Sequence, residues 1–187
     1  MATSAIYRVP HRRRKEGKTD YKLRLGLLKS GRPRAVIRKS NRYIRASIIV
    51  YDPDGDRCVV SADSRELKKF GWTLSCKNLP AAYLTGYLCG RRALKKDIKS
   101  AVSDLGLYDA KYNKRLYAVL KGLIDSGVEI PADESKFPQE ERLRGEHIKE
   151  YSEVIKEKNL KSPFSSDYPA AQVAEIFEKV KNSIEGV

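Results

Sequence analysis

The chain has 187 residues and carries 38 Lys and Arg against 24 Asp and Glu, a net charge of +14, which is length enough for one cored domain with extensions. No run of about 18 apolar residues is present and the first residues lack the apolar stretch of a signal peptide, which excludes a membrane-spanning helix and leaves a cytosolic protein expected. Nearly all of the charge excess lies in residues 1–50, where fifteen Lys and Arg face only Glu16 and Asp20; so concentrated a patch attracts a polyanion, whereas a solubility device is spread over the surface.

Residues 1–20 hold His11-Arg12-Arg13-Arg14-Lys15 and Lys18 with almost no aliphatic residues after them. Such a segment cannot bury enough apolar area to offset its ordering entropy, so alone it is expected to be disordered and to order along a polyanion. Thr19-Asp20 reads as a helix cap ahead of 21–29, with Leu23, Leu27 and Leu28 on one face and Gly31 ending the helix.

Residues 29–51 then read as a β-hairpin, because two runs rich in Val, Ile and Tyr flank the polar break Lys39-Ser40-Asn41-Arg42. With Ser40 and Asn41 as the loop, Arg38 faces Tyr43, Ile37 faces Ile44 and Val36 faces Arg45. Side chains alternate along a strand, so one face carries Ala35, Ile37, Ile44, Ala46, Ile48 and Val50 and wants a core. The other carries Arg34, Arg38, Tyr43, Arg45 and Ser47, with Val36, and holds no acidic residue. Guanidinium forks pair bidentately with phosphate and ring faces accept bases, so that face suits RNA.

Asp52-Pro53-Asp54-Gly55-Asp56 spells a tight turn rather than a calcium loop, and 57–62 forms the third strand of a meander. Ser64 is expected to cap a short helix through Phe70, ended by Gly71. The main helix runs from Leu79 to Lys96, with Pro80 in its first turn. Gly86 and Gly90 inside it point to close packing on a sheet or on RNA. Arg91, Arg92, Lys95, Lys96 and Lys99 form a second basic cluster, partly complementing the helix dipole. A strand over 100–107, a helix over 111–126 and a brief strand at 128–131 complete a mixed-sheet α/β sandwich.

From Pro131 onward the composition turns acidic and helix-prone, with helices expected over 146–158 and 170–184; Val173, Ile176, Phe177 and Val180 make an amphipathic stripe of the kind that usually docks on its own domain, the alternative being a partner protein. The division is therefore a basic arm (1–20), an α/β RNA-binding domain (21–130) and a C-terminal helical extension (131–187). Cys58, Cys76, Cys89, His11 and His147 are too scattered for a zinc site, so reduced thiols and no metal or cofactor are expected.

Several stretches resemble one family. V-P-H-R-R-R-K-E-G-K-T-D-Y-K-L-R-L-G-L-L-K-S-G-R-P-R-A-V-I-R-K-S-N-R-Y-I-R-A-S is similar to the large-subunit ribosomal proteins that bind 5S rRNA, the eighteenth in bacterial naming and the counterpart of eukaryotic protein five. The likeness continues in Phe70-Gly71-Trp72, in Asn78-Leu79-Pro80-Ala81-Ala82-Tyr83-Leu84-Thr85-Gly86, in Asp104-Leu105-Gly106-Leu107, in Gly127-Val128-Glu129-Ile130-Pro131 and in Arg144-Gly145-Glu146-His147-Ile148. The C-terminal helical region without a long tail resembles the archaeal type. The resemblance implies a cytoplasmic structural protein, not an enzyme, that anchors 5S rRNA to the large subunit at the central protuberance. Its partners would be 5S rRNA, large-subunit rRNA of the 23S type and neighbouring ribosomal proteins.

The residues expected on RNA are Arg8, Arg12, Arg13, Arg14, Lys15 and Lys18 in the arm, Tyr21, Arg24, Lys29 and Arg32 after it, and Arg34, Arg38, Lys39, Ser40, Asn41, Arg42, Tyr43 and Arg45 in the hairpin. Two other readings compete: a Mg-dependent RNA-processing enzyme using Asp63, Asp104 and Asp109, and a basic protein that coats any nucleic acid.

Overall fold

The computed structural model describes residues 6–108, 114–158 and 169–186. Four strands, β1 (Arg34–Lys39), β2 (Ile44–Val50), β3 (Arg57–Asp63) and β4 (Val102–Asp104), form one sheet in the order β3-β2-β1-β4. The first three make the expected antiparallel meander, and β4 lies parallel to β1. The α-helices among the described residues are α1 (Arg12–Lys15), α2 (Tyr21–Leu28), α3 (Leu79–Leu94), α4 (Lys114–Asp125), α5 (Glu140–Arg144), α6 (Glu146–Glu157) and α7 (Val173–Glu185). The mixed α/β class is the one expected. The sequence-expected start of α4 at Lys111 lies outside the described residues.

The hairpin register differs from the expected one by two residues: Arg38 faces Arg45, Ile37 faces Ala46 and Val36 faces Ser47. The cause is Ser40. Its hydroxyl accepts from the backbone N–H groups of Tyr43 at 2.9 Å and Arg42 at 3.3 Å, and its own N–H reaches the Tyr43 carbonyl at 2.8 Å. This stabilises a four-residue loop over the two-residue one. A shift of two keeps every side chain on its face, so Ala35, Ile37, Ile44, Ala46 and Ile48 enter the core as expected.

Helix α3 covers that apolar face against β2 and β3, and α4 packs on α3. Asn78 starts α3 by accepting from the Ala81 N–H at 2.9 Å. The interior glycines answer to α4, not to the sheet or to RNA. A methyl on Gly86 would stand 2.1 Å from the Val119 carbonyl oxygen, and one on Gly122 of α4 would stand 2.2 Å from that of Tyr83. The two helices thus approach backbone to backbone.

Ser64 does not cap the short 3-10 helix Glu66–Phe70; its hydroxyl instead accepts from the Ile44 N–H at 3.0 Å. The second basic cluster works inside the fold. Arg92 reaches the Ser61 carbonyl and the Glu66 carboxylate, both at 2.7 Å, and Lys96 reaches the Val59 carbonyl at 2.7 Å. These contacts fasten α3 to β3. Arg91 donates to the Glu185 carbonyl at 3.0 Å, and so ties α3 to α7. The stripe of α7 docks on its own domain: Val173, Phe177, Val180 and Ile184 are buried, and the Phe177 ring lies 5.6 Å from that of Tyr83. Cys76 and Cys89 are buried thiols, and burial pushes Cys89 up to about 12; Cys58 is exposed.

Overpacking a backbone contact costs about 1–3 kcal/mol. Gly86→Ala and Gly122→Ala are each expected to lower the melting temperature by roughly 3 to 10 °C, at about 2–4 °C per kcal/mol for a chain of this size. Thermal unfolding followed by circular dichroism checks it; wild-type melting would mean that α3 and α4 stand further apart.

Candidate nucleic-acid interface

The arm contains a single helical turn, α1, with no buried residue. Glu16 binds Lys18 and Arg12, each at 2.8 Å, and these two bonds hold its carboxyl below the usual range. Arg13 donates to the Thr19 hydroxyl at 2.9 Å. Asp20 caps α2 as its sequence predicts, accepting from the N–H groups of Lys22 at 2.9 Å and Leu23 at 3.1 Å. No residue of α2 is buried, and Leu23 and Leu25 face outward.

The hairpin's second face is not free of acid, contrary to the sequence expectation. Pairing of β4 with β1 sets Asp104 opposite Val36, on the same face as Arg34 and Arg38. Asp104 accepts from Arg34 at 2.9 Å and from Arg38 at 3.0 Å, and its carbonyl takes a second Arg38 N–H at 2.8 Å. Gly106, at φ +68°, lets the chain turn back over the Arg38 guanidinium, where a methyl would stand 3.0 Å from Cζ. From the turn before β3, Asp56 grips Arg24 of α2 in a two-pronged bond of 2.7 and 2.8 Å and also binds Arg34. Arg34 is only 4% exposed and is clasped between two carboxylates, so it holds the sheet together and presents nothing to an outside phosphate.

At the hairpin end, β2 pairs with β3 so that Asp63 stands opposite Arg45. Asp63 binds Arg45 at 3.2 Å and Arg65 at 3.1 Å. Burial pushes this carboxyl up, and the hydrogen bonds from Arg65 and Arg45 outweigh burial and leave it below the usual range. The Arg65 guanidinium lies 4.9 Å from the centre of the Tyr43 ring. Lys39 sits 5.1 Å from the Tyr108 ring, whose hydroxyl donates to the Lys39 carbonyl at 2.7 Å.

Two hollows result. A cleft of about 490 Å³ brings Arg13, Lys18, Tyr21 and Arg24 of the arm and α2 against Arg34 and Arg38 of β1. A shallower one of about 300 Å³ gathers Arg38, Lys39, Ser40, Tyr43 and Arg45 with Asp63 and Arg65. Arg8, Arg12, Arg14, Lys15, Lys29, Arg32, Asn41 and Arg42 line neither and lie exposed around them. Among the described residues Arg8, Arg14, Lys15, Lys29, Arg32 and Arg42 meet no carboxylate. Arg38 and Arg45 remain 45% and 59% exposed despite their ion pairs. Sequence reasoning missed Arg65, Asp56 and Tyr108, because strand pairing and long loops deliver them and no local spacing marks them. Of the three magnesium candidates, Asp63 and Asp104 are each held by two arginines, and Asp109 lies outside the described residues.

The Arg24 bond draws the Asp56 carboxyl well below the usual range, burial opposes this, and Arg34 adds to the lowering. A depressed carboxylate stabilises the fold above its unfolded pKa of about 3.9 and loses that contribution as pH falls through the lower folded value. Asp56→Asn is expected to destabilise by about 1.5–3 kcal/mol at neutral pH, the worth of hydrogen bonds to charged groups. The deficit should shrink as pH drops below about 4. Denaturant unfolding of both proteins across that range checks it, and a deficit independent of pH would remove the charge from the account.

Residues 5–103 match the family described as "Ribosomal large subunit proteins 60S L5, and 50S L18". The large ribosomal subunit protein uL18 of Methanococcus maripaludis is 46% identical across 97% of this chain and 100% of its own length. That of Korarchaeum cryptofilum is 44% identical across 98% and 97%, and that of Caldivirga maquilingensis 53% identical across 85% and 77%. A likeness of this depth over nearly the full length, with the family match spanning the hairpin and α3, means that the chain belongs to the family of large-subunit ribosomal proteins that comprises 60S L5 and 50S L18.

Proposed function

We propose that this ribosomal protein binds 5S rRNA and attaches it to the large subunit at the central protuberance, touching 5S rRNA, 23S-type rRNA and neighbouring ribosomal proteins. The observation that carries the reading is the distribution of cations that the protein's own acids leave unclaimed. Arg8, Arg14, Lys15, Lys29, Arg32 and Arg42 are exposed on the arm, after α2 and on the hairpin loop. In this reading residues 1–20 lie along rRNA, residues 21–130 present the hairpin to a shaped RNA element, and residues 131–187, which are acidic on balance, face protein. A structural constituent of the cytoplasmic ribosome needs no reacting group, and none of the aspartates considered for magnesium is called upon.

Counterion release dominates affinity in such complexes, and log affinity falls with log salt at about 0.7 to 0.9 per phosphate neutralised. Deleting residues 1–18 is therefore expected to flatten the salt dependence of 5S rRNA binding by several units; an unchanged slope would take the arm out of the mechanism. Selectivity rests on RNA shape and unpaired bases, since the A-form major groove is closed to side chains. Replacing Arg38, Tyr43 and Arg45 together with Ser should abolish selective binding, with a melting temperature lowered by loss of the Arg38–Asp104 and Arg45–Asp63 pairs but the folded state retained at the temperature of the binding assay. Competition between 5S rRNA and tRNA at physiological salt tests the reading as a whole: preference for 5S rRNA supports it, and equal competition would reduce the protein to a coat for any nucleic acid.

A further inference from the structure

Arg65 stands outside the hairpin, yet its guanidinium is fixed more firmly than that of any arginine on the arm. Its Nε and Nη2 bind the two oxygens of Asp63, each at 3.1 Å, and its backbone N–H binds Asp63 at 3.0 Å. A bidentate pair of this kind holds the guanidinium in the plane of the carboxylate. Behind it lies the Tyr43 ring, 4.9 Å away and packed against the core. Asp63 also takes Nε and Nη2 of Arg45, at 3.3 and 3.2 Å, so both arginines are set by one acid. Arg65 is exposed at the rim of the shallow hollow of about 300 Å³.

A flat, immobilised cation backed by an aromatic ring offers its outer face to another flat π-system, and unpaired RNA bases stack on guanidinium planes as well as on rings. We propose that Arg65, held by Asp63 against Tyr43, is a stacking shelf for one unpaired RNA base, with Arg45 beside it for that nucleotide's phosphate. The site deepens the RNA-binding reading given above and rests on it. Asp63 is a positioning residue: it repels the polyanion as a charge and favours it by holding two arginines in place, and the second effect is the larger.

The test uses the full chain, a single-stranded RNA dodecamer, the same sequence as a duplex, and 5S rRNA. Arg65→Lys keeps the charge and removes the plane. It is expected to weaken single-strand binding roughly 5- to 100-fold, the worth of one stacked base, with duplex binding and the salt slope unchanged. Asp63→Asn is expected to weaken single-strand binding as well, although it takes a negative charge away. Melting temperatures are read alongside, and Arg65→Lys, at an exposed position, carries the test should Asp63→Asn unfold. Wild-type affinity in Arg65→Lys, tighter binding in Asp63→Asn, or no preference of the wild type for single strands overturns the shelf. Failure of the wild type to prefer 5S rRNA over tRNA sinks the function proposed above and leaves the dodecamer result standing; normal 5S rRNA selection with a neutral Arg65→Lys sinks the shelf alone.

Discussion

The chain of ion pairs Arg24–Asp56–Arg34–Asp104–Arg38 governs the rest of this structure. Its centre is Arg34, a guanidinium taken out of water in the middle of a sheet, and moving such a charge out of water costs several kcal/mol even after relaxation. Only good hydrogen bonds to opposite charge offset that cost, so Arg34 demands two carboxylates, and each of these in turn recruits an outer arginine. The demand fixes tertiary structure: Asp104 brings β4 alongside β1, and Asp56 brings the turn before β3 under α2. The arm that precedes α2 is thereby aimed across the sheet's polar face.

The same chain of ion pairs decides how much charge reaches outward. Three arginines and two aspartates leave a single net positive charge on a face that the sequence read as wholly basic. At the hairpin end Arg45, Asp63 and Arg65 do likewise. In the RNA-binding reading, long-range attraction of a polyanion falls to the arm and the loop, where Arg8, Arg14, Lys15 and Arg42 are exposed and meet no carboxylate while Arg12 and Lys18 share Glu16. The sheet contributes something different, arginines already held in one orientation, which lose little freedom when a ligand arrives. The division matches two separable components of RNA binding, a salt-dependent pull and a shape-dependent fit.

Much of this was legible in the sequence because it is local. The apolar face of the hairpin, the Asp20 cap, the start of α3 at Leu79 with Pro80 in its first turn and the α7 stripe each follow from spacing within a few residues. The register error arose from one hydroxyl, Ser40, which closes a longer loop; since the side-chain period is two, the faces survived it. What was not legible depends on contacts far apart in the chain. Arg38 and Asp104 are separated by 66 residues, and no pattern near either announces the other. Gly86 and Gly90 were read correctly as sites of close approach, but which surface approaches is settled by α4, and periodicity within α3 carries no information about that.

The C-terminal helices complete the core. Their apolar stripe buries Phe177 and Val180, and α7 packs against α3, so the acidic, helix-prone region supplies part of the same core. Helix α3 is thus packed against the sheet, α4 and α7, and its own cations are drawn inward to backbone carbonyls and to Glu66. A basic protein of this size could scatter its charge and bind RNA anywhere on its surface. Here the ion pairs of Asp56, Asp104 and Asp63 largely neutralise the sheet's polar face, while cations that meet no carboxylate stand exposed on the arm, after α2 and on the hairpin loop.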